Sequence, residues 1–260
     1  MISLSGYAKV KKYIEFHAEL TDHEILQLKK KYPGPTLTIS RQSGIETNLL
    51  CEKLIESFSS YYSTDWVYFD KDLIRKVISD HNLPSRVQKF LSEEKTSAIS
   101  QMLNELMDIH PSILELVHKM VSTILNLAEI GNVILVGRGS NVITSHLKNT
   151  YHIRLVAPLD QRIKHLQKSR DIKKEWAKNI LLRGDENRKD FLLRTFRKDI
   201  DDPLLYHSTI NVSLFSFDEL VNSIVEAVRS KHPIIKSPIT ERVKLLKEIK
   251  INKRDYYETA

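Results

Sequence analysis

The chain has 260 residues, 41% hydrophobic and 28% charged, enough apolar material for one sizeable core with appendages. No apolar run approaches the ~20 residues a membrane span requires, and the N-terminal stretch lacks the continuous apolar core of a secretory signal. The single cysteine, Cys51, rules out a disulfide framework and fits a reducing, cytoplasmic setting, where a buried small hydrophobe is its expected role. The net charge of +7 favours anionic partners such as nucleotides, nucleic acid or acidic surfaces. From Lys231 onward eight basic residues face four acidic ones, so more than half of the surplus lies in the last 30 residues.

Three regions are expected: an N-terminal helical extension (1–35), a main domain (36–230) and a basic, helical C-terminal tail (231–260). In the extension, Thr21-Asp-His-Glu24 reads as a capping box, and Tyr32-Pro-Gly-Pro35 ends its helix. The first strand, Thr36–Ser40, is short, apolar and β-branched. A tight loop follows it, and then Cys51, Leu54, Ile55 and Phe58 repeat with helical spacing. Further strands are expected at Asp65–Phe69, Val133–Gly137, Tyr151–Ala157 and Thr209–Leu214. Between the second and third, Ser112–Ile130 carries an apolar stripe of Ile113, Leu116, Val117, Met120, Ile124 and Leu127, with His110-Pro111 as the break before it. Ser216-Phe-Asp-Glu219 is a second capping box, opening a helix with Leu220, Ile224, Val225 and Val228 on its apolar face. Strands alternating with helices predict an α/β fold with a parallel, doubly wound sheet. Ligands of such sheets bind beyond the carboxyl ends of the strands, which selects the loops after Ser40, Phe69, Gly137 and Ala157.

Each of those loops carries chemistry. Ser40-Arg-Gln-Ser-Gly-Ile-Glu-Thr47 joins a strand to a helix, the arrangement that aims free amides and a helix dipole at a phosphate. The full motif G-x-x-x-x-G-K-[ST] is incomplete, because no lysine is present. Asp70 and Arg75 stand on one short segment after the second strand, placed to meet a ribose or base and a phosphate; a first-turn Asp is equally a helix cap. In Gly137-Arg-Gly-Ser140 two glycines turn the backbone tightly around Arg138, and arginine grips phosphate bidentately. Arg183-Gly-Asp-Glu-Asn-Arg188 lies between helical segments. It would supply the positive charge that a loose phosphoryl-transfer transition state needs, or form a solvated basic face. No metal-ligand spacing such as H-E-x-x-H occurs, nor a G-x-S-x-G elbow.

In order and spacing, Ile39-Ser-Arg-Gln-Ser-Gly44, Tyr68-Phe-Asp-Lys71, Val136-Gly-Arg-Gly139, Ile153 to Arg162, Asp185-Glu-Asn-Arg188 and Asp202-Pro-Leu-Leu-Tyr206 through Asn211 resemble the cytidylate kinase-like family, relatives of the nucleoside monophosphate kinases. The resemblance covers about residues 36 to 229. It implies a P-loop fold with a five-stranded parallel core, a helical insert that binds the monophosphate, and an arginine lid. It implies transfer of the γ-phosphate of ATP to CMP or another small acceptor, with magnesium. Carried over by position, it assigns Ser40, Arg41, Gln42, Ser43, Gly44 and Thr47 to the donor phosphates; no direct metal-ligand motif is present, and Thr47 or Asn48 would stand in for the usual Ser/Thr at magnesium. Asp70, Arg75, Arg138 and Asp185 go to the acceptor, and Arg183 and Arg188 to catalysis in the lid. Arg154 and Arg162 are further candidates, Arg154 with pairing to an acidic neighbour as its alternative.

The loop departs from the family, which typically reads Ser-Arg-Gln/Glu-x-Gly-Ser-Gly-Gly where this chain has Glu46 and Thr47. A glutamate ~4 Å from a phosphate charge, in an effective dielectric of ~20, costs roughly 4 kcal/mol before screening. Three readings therefore stay open. One is an active nucleotide phosphotransferase. Another is a pseudokinase that binds a nucleotide or a partner protein, and the third a nucleic-acid or acidic-surface binder acting through the basic tail. A homodimer is compatible with each.

Overall fold

A computed structural model describes residues 33–70 and 111–233. The N-terminal capping box at Thr21, Arg75 and most of the basic tail therefore lie outside the described residues. Ile113 and Leu116 fall in a described helix, but their side chains do not.

Five strands form one all-parallel sheet: β1 (Thr36–Arg41), β2 (Val67–Phe69), β3 (Val133–Val136), β4 (Thr150–Val156) and β5 (Ser208–Asn211), in the order β2-β3-β1-β4-β5. The central strand, β1, pairs with β3 in the register Thr36↔Val133 and with β4 as Thr36↔Thr150. Helices α1 (Asn48–Tyr62), α2 (Pro111–Ile130), α3 (Ser140–Ile143), α4 (Leu159–Arg170), α5 (Lys174–Phe196) and α6 (Phe217–Lys231) make the connections. The doubly wound expectation holds because strand side chains alternate between two packed faces.

On one face Leu37 and Ile39 of β1, Ile134 and Val136 of β3, and Tyr151, Ile153 and Leu155 of β4 meet α1 and α6. Helix α1 contributes Leu50, Cys51, Leu54 and Phe58, all essentially buried, and Phe58 packs on Trp66 with ring centroids 4.5 Å apart. Burial pushes the Cys51 thiol pKa well up, so it is the inert hydrophobe expected of it. Helix α6 opens with the expected capping box: Ser216 Oγ accepts from the Glu219 amide while Glu219 accepts from the Ser216 amide.

The opposite face is divided. Over β2 and β3 it is apolar, with Phe69, Val133 and Leu135 under Val117, Met120, Ile124 and Leu127 of α2 and under Leu192 and Phe196 at the end of α5. Over β1 and β4 it is a buried polar seam of Thr36, Thr38 and Ser40 beside Thr150, His152 and Arg154. Thr36 Oγ1 donates to Ala128 O of α2 at 3.1 Å. His152 is held between Thr38 Oγ1 at Nδ1 (2.8 Å) and Thr150 Oγ1 at Nε2 (3.2 Å), so one ring nitrogen accepts and the other donates.

Every strand differs from its expected bounds by at least one residue, and two differ by more. The second strand starts at Val67, because the Trp66 amide is drawn to Ser59 Oγ. The fifth ends at Asn211, whose side chain caps a 3-10 turn at Val212–Leu214 by accepting from the Ser213 amide.

Burial, then the nearby His207 and Lys231, hold the His152 pKa down to about 3. The pKa values of His207 and His232 are lowered in the same direction. The unfolded chain binds these protons near pH 6.5 and the folded chain does not. For His152 the resulting stability is complete above pH 6.5 and is lost as pH falls toward 3, at up to about 1.4 kcal/mol per pH unit; the more exposed His207 and His232 act in the same direction. Urea unfolding between pH 7.5 and pH 4.5 should show this loss, and His152→Gln should make the dependence shallower.

Candidate active site

The carboxyl ends of β1 and β4 converge with α5 and the segment after it around a cavity of about 290 Å³, whose polar lining includes Arg41, Arg154, Arg188, Lys189, Asp185 and Asp201. The loop after β1 turns at Ser43-Gly44, where Gly44 has φ +84°, a value that favours glycine. Helix α1 then begins at Asn48 with Thr47 as its N-cap, and the Thr47 side chain makes no capping bond. Among the described residues, the amides of Gly44, Glu46 and Thr47 and of the first turn, Asn48 to Leu50, donate to no protein group. An anion is the natural partner for such a set, since these amides and the helix dipole act together.

The loop is stapled to β4 from both sides. The Gln42 amide donates to Leu155 O, and Gln42 Oε1 accepts from the Ala157 amide at 2.9 Å. The Gln42 side chain is thus spent on holding the loop in place. Arg162, buried on α4, donates through Nε to Ala157 O and through Nη1 to Ser43 O, both at 3.0 Å, and through Nη1 to Asp185 Oδ2 at 2.6 Å. The Ser43 amide donates to Asp185 Oδ1 at 2.6 Å.

Glu46 stays clear of this nest. Its side chain is 72% exposed and lies 3.6 Å from His165 Nε2. The repulsion expected of a glutamate at 4 Å from the phosphate loses its premise, because the carboxylate faces solvent, where screening is strong. Thr47, by contrast, is buried.

The arginines divide into two kinds. Arg154 is held in an ion pair: Nη1 donates to Ser40 Oγ at 3.1 Å and Nη2 to Asp201 Oδ1 at 2.6 Å, and Lys189 lies 3.7 Å from the other Asp201 oxygen. Ser40 also accepts from Tyr206 Oη, so Ser40 and Arg154 act as struts between β1, β4 and the 199–206 segment. Arg41 is half-buried, and among the described residues no hydrogen bond or ion pair holds its guanidinium. It packs against Gly137, with Arg188, Arg138 and Asp70 as charged neighbours. Burial first, then Arg188 and more weakly Arg138, bring its pKa down to about 10, so it is still a cation at neutral pH. The Arg188 pKa is lowered by burial and by Arg154 and Arg162, while Asp185 opposes the shift.

Arg138 has φ +57° between Gly137 at +79° and Gly139 at +68°. A left-handed arginine costs roughly 1–2 kcal/mol and persists where the surroundings impose it, often at a functional position.

Sequence reasoning placed Arg183–Arg188 between helices. It lies inside one helix, α5, which runs unbroken through Gly184. Gly184 is tolerated there because a Cβ would run into Ser43 Oγ; the glycine lets the helix touch the loop. One consequence is that Arg183 is exposed and outside the cavity lining, whereas Arg188 lines it. Lys189, Asp201 and Tyr206 were not singled out for roles, although Asp202-Pro-Leu-Leu-Tyr206 marked their neighbourhood.

A sequence model described as the cytidylate kinase-like family matches residues 36–214. The chain belongs to the cytidylate kinase-like family. The five-stranded parallel sheet flanked by helices is the P-loop kinase fold this membership implies, and a kinase-like function goes with it. None of the curated proteins matches the chain. A crystal structure of an uncharacterized protein from Eubacterium ventriosum is similar over 75% of this chain and 98% of its own, at 18% identity and a TM-score of 0.59, a likeness of fold. Shikimate kinase from Bacteroides thetaiotaomicron aligns over 75% of this chain and 96% of its own, with 10% identity and a TM-score of 0.40. Among the described residues no helix is long and apolar enough to cross a membrane.

The strain at Arg138 predicts a difference between two substitutions. Arg138→Gly should be about 1 kcal/mol more stable than Arg138→Ala, because only glycine relieves the left-handed backbone. Parallel urea melts at neutral pH check this.

Proposed function

We propose that this family member transfers the γ-phosphate of ATP to a small acceptor of the nucleoside monophosphate type, CMP-like in the first instance. The observation that carries the reading is the half-buried, unpaired Arg41, gathered with Arg138 and Arg188 at the strand ends beside a loop rich in free amides. Guanidinium groups so close repel one another and lose hydration. An anion with several oxygens, such as a phosphoryl group in flight, offsets both costs.

In this reading the free amides of Gly44 and of Glu46 to Leu50 hold the donor phosphates. Arg41, which takes up the charge of the missing lysine, and Arg188 face the equatorial oxygens, where charge develops in a loose transition state. Arg138 grips the acceptor phosphate, and Asp70 stands beside it for the sugar or base. Ser40, Gln42 and Arg154 position these groups. Arg75, Arg183 and Asp185 remain lid and acceptor candidates by family position. The residues present fit magnesium at the start of α1, where the uncapped Thr47 hydroxyl or the Asn48 carboxamide would hold it. Bound there, the ion would neutralise phosphate charge. Among the described residues no cluster of acidic, histidine or cysteine side chains offers another metal site.

A second reading, a pseudokinase that binds nucleotide without turnover, is favoured by the absence of a lysine from the loop and by the occupied Ser43 amide. Calorimetric titration with magnesium and ATP, then with CMP and other monophosphates, followed by a coupled ADP-release assay, separates the two. The kinase reading expects binding and turnover, with kcat falling roughly 10²–10³-fold in Arg41→Ala, as when a donor to a developing oxyanion is removed. For Arg138→Ala it expects mainly a higher KM for the acceptor. Binding without ADP release over the whole acceptor panel would favour the pseudokinase. Binding of neither nucleotide would sink both.

A further inference from the structure

We propose that the Asp185 carboxylate is an internal competitor for the anion taken up by the loop after β1, so that α5 must leave Ser43 before a phosphate can be seated. The inference rests on the phosphate-binding reading of that loop. Family position makes Asp185 an acceptor ligand, whose loss should weaken binding; the geometry argues the opposite sign.

One Asp185 oxygen accepts the Ser43 amide proton at 2.6 Å, and the other accepts from Arg162 Nη1 at 2.6 Å. Arg188 Nη1 is 4.0 Å from the first oxygen. An amide and two guanidinium groups around one anionic group are the surroundings a phosphate oxygen would take, and here a carboxylate of the chain holds them. The Ser43 amide has a single proton, so Asp185 and a ligand oxygen cannot both have it. The helix is also seated close: Gly184 lies flush on Ser43, and Leu181 sits where a side chain at position 44 would begin. The docked helix therefore covers the turn Ser43-Gly44 as well as capping its donor. Once Asp185 is released, Arg162 and the Ser43 amide are left facing the loop without a counter-charge, which favours a phosphate in its place.

A docked state that holds 90–99% of the population weakens apparent affinity roughly 10–100-fold. Titration with pyrophosphate and with magnesium-ATP should therefore show Asp185→Asn binding about tenfold or more tighter than wild type. Equal or weaker binding by Asp185→Asn, with wild type binding measurably, overturns the proposal and leaves the kinase reading standing. Absence of binding in every form overturns that reading and the proposal together.

A second variant does not depend on Asp185→Asn folding. A Cβ at Gly184 would lie 3.1 Å from Ser43 Cβ, a few tenths of an ångström inside the usual disulfide spacing of about 3.5–4.5 Å, so the crosslink forms with a small outward shift of the helix. The S43C/G184C chain, oxidised, should fail to bind pyrophosphate and recover binding when reduced, with unchanged far-ultraviolet circular dichroism. Equal binding in the two redox states would overturn the proposal.

Discussion

The buried guanidinium of Arg162 is the contact on which the rest of the site hangs. It joins the end of β4 through Ala157 O, the loop after β1 through Ser43 O, and α5 through Asp185. Burying a guanidinium costs several kcal/mol unless its protons are met, and removing one partner strands the charge. The loop therefore cannot drift away from β4 without exposing that cost, and Gln42 adds two further bonds between the same pieces. The parallel register of β1 on β4 sets where this junction falls, because it brings Arg41 level with Leu155. A shift of one residue would send Ser40 and Arg154 to the wrong face. Position in the sheet thus becomes position of the loop after β1.

The uneven sheet follows the same logic. Where β2 and β3 lie under α2, apolar burial supplies stability and no chemistry. Along β1 and β4 the seam is polar but mostly satisfied: Thr38 and Thr150 hold His152, and Ser40, Asp201 and Lys189 surround Arg154 and its partner. Satisfied groups make a rigid floor. Arg41 breaks the pattern at the rim, where the floor meets the cavity. Pairing, more than proximity to the cleft, separates arginines that hold the protein together from arginines available to a ligand.

Much of this was legible in the chain. Five short apolar segments alternating with helical stretches announced the parallel sheet, and Ser216 with Glu219 announced the start of α6, because both signals are local. Gly137-Arg-Gly139 announced a special backbone, and three consecutive left-handed residues are what it became. The illegible parts depend on distant partners. A glycine in Arg183–Asp185 reads locally as a break. Its tolerance comes from Ser43, 141 positions earlier, against which the helix needs a residue without a Cβ. Arg154 likewise declared its charge but not its partner, Asp201, which is brought beside it by the return of the chain into β5.

The loop's two substitutions weigh differently once geometry is known. Glu46 looked the more damaging, because a carboxylate inside the nest would oppose the ligand directly. Turned toward His165 and well exposed, it acts through water, where two charges 4 Å apart interact by only ~1 kcal/mol and salt screens them further. Thr47 is the deeper change. It sits at the N-cap, where the amides and a dipole worth about half a charge remain, but no full cation stands beside them. For phosphoryl transfer to work at this edge, the missing charge has to come from the side; among the described residues Arg41 has no ion pair, and Arg188 has only the 4.0 Å contact with Asp185. They stand over the strand ends, not within the loop, so they favour charge developing on a phosphoryl group in transit over charge resting in the loop. Under the proposed phosphoryl transfer, a site built this way would bind its donor weakly in the ground state and use its positive charge on the transition state.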